Sequence, residues 1–219
     1  MVKLLGSRGA AAVGALFLTL VGGSTEAFGQ QAAIAQVTPA VLGVPTIATQ
    51  PALPAVQTVT TSATSIAREA TWLYSNGWNL AALAEKYGAS STALDEEANC
   101  MAVAVYHEAR GESVEGQLAV ARVIMNRAVS GKYPTTWCGV VKQPWQFSFV
   151  NPRTGYMPSV DQASAAWHKA LGVTRLAVAN AVQSVPSDCL WYHADYVSPN
   201  WRTHLTRVEK IGAHIFYRA

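Results

Sequence analysis

From Ala27 to Ala67 the chain carries no Asp, Glu, Lys or Arg, and prolines stand at 39, 45, 51 and 54. Proline at such intervals breaks any helix or central strand, and no apolar period is left for a core. Residues 28–67 therefore read as a Pro/Ala/Thr-rich linker, which confines folding to the residues beyond it. The same stretch explains why charged residues make up only 13% of the chain, about half the usual share near 25%. Within the remainder, residues 99–219 have the length of one ordinary domain and can build a sizeable core.

Ahead of the linker, Lys3 and Arg8 precede the apolar run Ala10 to Val21, and small residues lead up to Ala27. That pattern predicts a signal peptide over residues 1–27, cleaved after Ala27, with an uncleaved N-terminal anchor as the alternative. Either reading puts the protein outside the cytoplasm, in the periplasm or cell envelope. Membrane contact is expected only through such an anchor. Without Lys3, Arg8 and Glu26 the net charge falls from +3 to +2, which marks neither a nucleic-acid footprint nor a polybasic membrane patch.

Residues 68–98 form an accessory segment. Arg68 to Tyr87 has the spacing of two short helices interrupted near Asn76 and Gly77, with Gly88 closing the second. This hairpin is expected to be an accessory or wall-binding element, with Trp72 and Trp78 as packing residues. Export permits disulfides among Cys100, Cys138 and Cys189. Sequence alone does not choose the pair, and Cys138 with Cys189 is the preferred one. No CxxC occurs and the spacings are not those of a zinc site.

The informative stretch is YHEARGE, Tyr106 to Glu112, where Glu108 and Glu112 stand four residues apart. On a helix both carboxylates share a face. Asn99 to Arg110 reads as a buried helix capped by Asn99 and closed by a left-handed Gly111, with a strand as the alternative. Glu108 then falls in the last turn, where the negative helix end and apolar neighbours favour its protonated form, as a general acid requires. Arg110 is placed to keep Glu112 ionised. The competing reading is an exposed charge cluster at a helix end.

Val114 to Val129 reads as a second helix ending near Gly131, with Asn126 and Arg127 at its polar edge. Turn-rich segments containing Trp137, Trp145, Phe147 and Phe149 come next, then a helix over Gln162 to Ala179 and an aromatic tail of short strands.

Seven blocks in order, EARGE (Glu108 to Glu112), GQLAVARVIMNR (Gly116 to Arg127), YP (Tyr133, Pro134), CGVV (Cys138 to Val141), QFSF (Gln146 to Phe149), YHADYVSPNW (Tyr192 to Trp201) and IGAHIFYR (Ile211 to Arg218), resemble the SleB-type cell wall hydrolase family. The resemblance covers 99–219. It implies a lysozyme-like, mainly helical α+β catalytic domain that cleaves the bond from N-acetylmuramic acid to N-acetylglucosamine in peptidoglycan, in several members as a lytic transglycosylase. It also implies Glu108 as the catalytic acid.

With no obvious second acid, the expected mechanism uses one essential carboxylate, with Glu112 and Asn126 orienting groups around it. Gln117, Gln146, Tyr192 and His193 are the further candidates for binding glycan, while Trp137, Trp145 and Trp191 are expected in the core. A monomer acting on peptidoglycan strands, with no metal and no cofactor, is the resulting expectation. Two other classes compete with it. A zinc amidase or peptidase would use His107, Glu108, Glu112, His193, His204 and His214, although HEARGE is not HExxH. The other is a wall-binding module without catalysis.

Overall fold

The computed structural model describes residues 55–219. The expected signal peptide and the linker as far as residue 54 lie outside the described residues. The linker's expected end at Ala67 is corrected, because helix α1 already runs Ala55–Ser75. Beyond Pro54 there is no proline or glycine until Gly77, and Ile66, Ala70 and Leu73 return to one face at helical spacing and pack into the core. The described residues form one compact unit, so the accessory hairpin is part of the same body as the domain beyond it.

The interruption expected at Asn76 and Gly77 is present. Gly77 takes a left-handed φ of +90°, and Asn79 caps α2, Leu80–Gly88, by accepting from the Ala82 N–H. Helix α3, Glu96–Ala109, starts earlier than the sequence suggests. Asp95, not Asn99, caps it, its Oδ1 accepting from the Ala98 N–H at 2.7 Å. Arg110 in right-handed conformation, not a left-handed Gly111, closes it. Helix α4, Val114–Val129, has the predicted bounds, is capped by Ser113, and is followed by Gly131 at φ +71°. Helices α5, Trp137–Lys142, and α6, Ala165–Val178, complete the helical layer.

The C-terminal part is a three-stranded antiparallel sheet in the order β1-β3-β2, from β1 (Cys189–Ala194), β2 (Thr206–Ile211) and β3 (His214–Arg218). A short 3-10 helix, Asn200–His204, leads from β1 to β2. The described chain is thus α+β and mainly helical. Met101 to Tyr106 of α3 and Gln117 to Ala121 of α4 are buried without interruption, so these two helices form the centre.

The disulfide joins Cys100 to Cys138 and ties α3 to α5. The preferred pairing of Cys138 with Cys189 is therefore corrected. Cys189 is a free, buried thiol at the start of β1, pushed up to about 11 by burial. Helices α2 and α6 approach so closely that a Cβ on Gly172 would overlap the Ala84 carbonyl, and one on Gly88 the His168 carbonyl. Gly172→Ala is expected to cost about 2 kcal/mol, because the obstacle is rigid backbone and the helices must separate. Thermal unfolding of the variant measures this.

Candidate active site

Glu108 sits in the last turn of α3, half-buried, with the Tyr192 hydroxyl donating to its Oε2 at 3.3 Å. Tyr192 reaches it because the end of α4 holds the entry of β1. Asn126 Nδ2 donates to the Pro186 and Cys189 carbonyls at 2.8 and 3.0 Å, and Arg127 Nε donates to the Leu190 carbonyl at 2.7 Å. The polar edge of an apolar helix is thus spent on fixing a strand, and the strand delivers the tyrosine. Arg127 is itself buried, lies 5.0 Å from the centre of the Tyr133 ring, and leaves one terminal N–H group without a partner among the described residues.

Burial raises the Glu108 pKa above the ordinary carboxylate value, and the Tyr192 hydrogen bond and the Arg127 charge only partly oppose it. Burial likewise holds the Tyr192 proton well above the usual tyrosine range, with the Glu108 charge adding to it. Tyr192 therefore remains a donor. Glu108 is a carboxyl group kept nearer to protonation by its surroundings, beside a neutral hydroxyl and a buried cation. Glu108 lies in the last turn of a helix as the sequence suggests, whereas Arg110, expected to serve Glu112, lies 5.2 Å from the centre of the Tyr106 ring. An arginine at the end of an apolar helix was the available signal for Arg127.

Glu112 does something different. Its Oε2 accepts from the Ala213 N–H at 3.0 Å, and its Oε1 lies 3.8 Å from His214 Nδ1. A Cβ on Gly212, which has φ +58°, would overlap that carboxylate. The second glutamate of EARGE thus fastens the β2–β3 turn, and the left-handed φ at Gly212 favours glycine there. His214, whose pKa is lowered mainly by burial, meets the Tyr192 ring edge-on at 5.3 Å. A continuous set of contacts therefore runs from Glu108 through Tyr192 and His214 to Glu112.

Several expected glycan contacts are corrected. Gln117 is 1% exposed and donates to the Glu112 carbonyl at 3.1 Å, so it supports the turn from inside. Asn126 is buried and both its described bonds go to the β1 entry. His193, on the face of β1 opposite Tyr192, hydrogen-bonds Ala194 O and the Tyr217 hydroxyl at 2.8 and 3.0 Å and stacks on Tyr217. Asn126 and His193 are polar residues satisfied within the fold, while Gln117 is held through its amino group and its buried Oε1 has no partner among the described residues. Gln146 is half-buried on the loop after α5, and its side chain makes no hydrogen bond with the described residues. The same loop reaches α3 through Phe149, which stacks on His107 at 4.9 Å. That contact joins the QFSF block to the residue just ahead of EARGE.

Trp145 is 84% exposed in a left-handed turn at φ 66°, contrary to the core placement expected for it. Trp137 and Trp191 are half-buried. The zinc alternative required histidines and glutamates to converge, and no group of three His, Cys, Asp or Glu suited to a metal is found among the described residues. No described helix is long and apolar enough to cross a membrane.

A mainly helical α+β domain with one half-buried glutamate, held by a tyrosine from the sheet, is the class that fold and site define. Residues 111–217 match the family model described as Cell Wall Hydrolase. The chain belongs to this family. It is 34% identical over 116 residues to the spore cortex-lytic enzyme of Bacillus cereus, covering 53% of this chain and 42% of that protein. The Bacillus subtilis spore cortex-lytic enzyme is 34% identical over 119 residues, 53% of this chain and 35% of that one. The chain thus spans less than half the length of these relatives. The catalytic domain of a germination-specific lytic transglycosylase, SleB of Bacillus anthracis, is 32% identical, with 59% of this chain and 99% of that chain covered and a TM-score of 0.46. The family match begins at Gly111, so Glu108 stands just ahead of it.

Proposed function

We propose that this chain is an exported peptidoglycan hydrolase, that residues 99–219 carry its chemistry, and that it cleaves the bond from N-acetylmuramic acid to N-acetylglucosamine as a lytic transglycosylase. The observation carrying the reading is Glu108, whose burial raises its pKa while the Tyr192 hydroxyl holds one of its oxygens. The relatives named as spore cortex-lytic enzyme and lytic transglycosylase support the substrate class.

In this mechanism the Glu108 carboxyl gives its proton to the glycosidic oxygen as the bond to the muramic C1 breaks and positive charge develops there. The muramic 6-hydroxyl oxygen then forms the new bond to C1, and Glu108, now a carboxylate, takes the hydroxyl proton. One proton leaves Glu108 and one returns, and the product is a 1,6-anhydro sugar. Tyr192 donates to the carboxylate while it is charged and releases it when it is protonated. Arg127 stabilises the same charged form from the buried side. Glu112 supports the one-carboxylate scheme because its oxygens face the Ala213 N–H and His214.

Because the reaction starts from protonated Glu108, activity is expected to fall as pH rises through the raised Glu108 pKa. Tyr192→Phe removes a hydrogen bond that favours the carboxylate. Its alkaline limb should therefore move to higher pH, with turnover at the optimum lower by about tenfold. A pH profile of soluble glycan release from purified peptidoglycan tests both statements. A limb that stays in place in Tyr192→Phe contradicts the assignment, and release of peptides instead of glycan replaces the glycosidic reading with an amidase.

A further inference from the structure

Three large aromatic side chains are exposed within seven residues, Trp72 at 63%, Tyr74 at 50% and Trp78 at 41%, at the end of α1 and in the turn to α2. The two tryptophans were expected to pack, and they do not. The hairpin is firmly seated, since Ala70, Leu73, Leu80 and Leu83 from the same stretch are buried in the core. It also lies outside the residues matched by the family. Large apolar rings left in water on a well-anchored element are the informative exception to ordinary burial.

The chemistry of this surface narrows its ligand. From Thr71 to Ala84 there is no Asp, Glu, Lys or Arg, so binding by these residues rests on ring faces and amide groups and not on ion pairs. Polar groups are nevertheless available. Asn76 uses its amino end on the Trp72 carbonyl at 2.7 Å, and Asn79 uses its oxygen on the Ala82 N–H at 2.8 Å. The Asn76 oxygen and the Asn79 amino group have no partner among the described residues. Uncharged rings beside free amide groups suit a neutral polyhydroxylated ligand, which offers apolar ring faces and hydroxyl edges.

On the Tyr74 side of the hairpin, Tyr74 and Leu80 line a cleft of about 470 Å³ together with Ser113, Gly212 and the charged Glu115, Glu209 and Lys210. Ser113 is next to Glu112 in sequence, and Gly212 is the turn residue packed against the Glu112 carboxylate.

We propose that the α1–α2 hairpin is a second glycan-docking surface, on which Trp72 and Trp78 stack against sugar rings of an intact peptidoglycan strand. The proposal rests on peptidoglycan being the substrate. Docking there keeps the enzyme on insoluble wall between cleavage events, while a short soluble fragment engages only the catalytic site.

The test uses the full chain carrying Trp72→Ala and Trp78→Ala, checked for an unchanged circular dichroism spectrum, and a second protein with Trp72→Phe and Trp78→Phe. Affinity for purified insoluble peptidoglycan in a pelleting assay is expected to fall about tenfold in the Ala protein and to return in the Phe protein, which keeps a ring face. Turnover of insoluble substrate should fall in parallel, and turnover of short soluble glycan fragments should stay within about twofold. Unchanged pelleting, an equal loss on soluble fragments, or no recovery with Phe overturns the proposal. So does a wild-type dimer that the Ala protein loses, or wild-type binding to phosphatidylcholine vesicles that depends on the two tryptophans. Tryptophan-dependent pelleting of a wild-type chain that cleaves neither substrate would uphold the docking surface and reject the proposed reaction instead.

Discussion

Glu108→Gln is expected to lower glycan release from peptidoglycan by about a thousandfold, because the amide keeps the shape and the Tyr192 contact but has no proton to give. The same variant is expected to gain stability. Burial raises the Glu108 pKa in the folded protein, so the native state holds that proton more tightly than the unfolded chain does. The stabilisation from this site is complete below the ordinary carboxylate pKa and is lost as pH rises through the raised value. Glutamine never ionises. Glu108→Gln should therefore unfold at a higher temperature than the wild type on the alkaline side, and the difference should vanish in acid. An inactive variant that is also less stable at neutral pH would mean that Glu108 is a structural residue.

Removing the Cys100–Cys138 bridge is expected to cost about 4 kcal/mol, from loop-closure entropy over a sequence separation of 38. For a folded unit of this size that lowers the melting temperature by roughly 10–15 °C. The bridge fixes α3, and hence Glu108 at its far end, to α5. Cys189→Ala should cost far less, since it removes only a buried sulfur at the start of β1. Reduction of the wild type before thermal unfolding measures the first effect. Equal losses from removing Cys189 and from removing Cys138 would instead favour a bridge between those two.

What was legible in the sequence was mostly local. Val114 to Val129 carries its own apolar period and a Ser113 cap, and the break at Asn76 and Gly77 carries its own turn chemistry, so both lie where expected. The place of Glu108 near a helix end was legible as well. The helix caps were less so, because Asp95 and Asn99 are both competent to cap and only the fold decides between them. The candidate glycan contacts were the least legible. Gln117, Asn126 and His193 are polar residues of the kind that line grooves, yet each is occupied by a backbone or hydroxyl partner within the fold. The disulfide failed because its geometry is non-local. Nothing near Cys138 in the chain reveals that α3 passes beside it, and an aromatic such as Trp72 does not announce whether its face of α1 will be covered.

The central claim, that a single carboxyl group at Glu108 serves as acid and then as base in glycosidic cleavage, is tested most directly by mass spectrometry of the fragments released from purified peptidoglycan by the wild type and by Glu108→Gln. The account predicts muropeptides ending in 1,6-anhydro-muramic acid from the wild type and their disappearance in the variant. Fragments with ordinary reducing ends would contradict it, since water would then be the attacking group and a second carboxylate would be required to activate it.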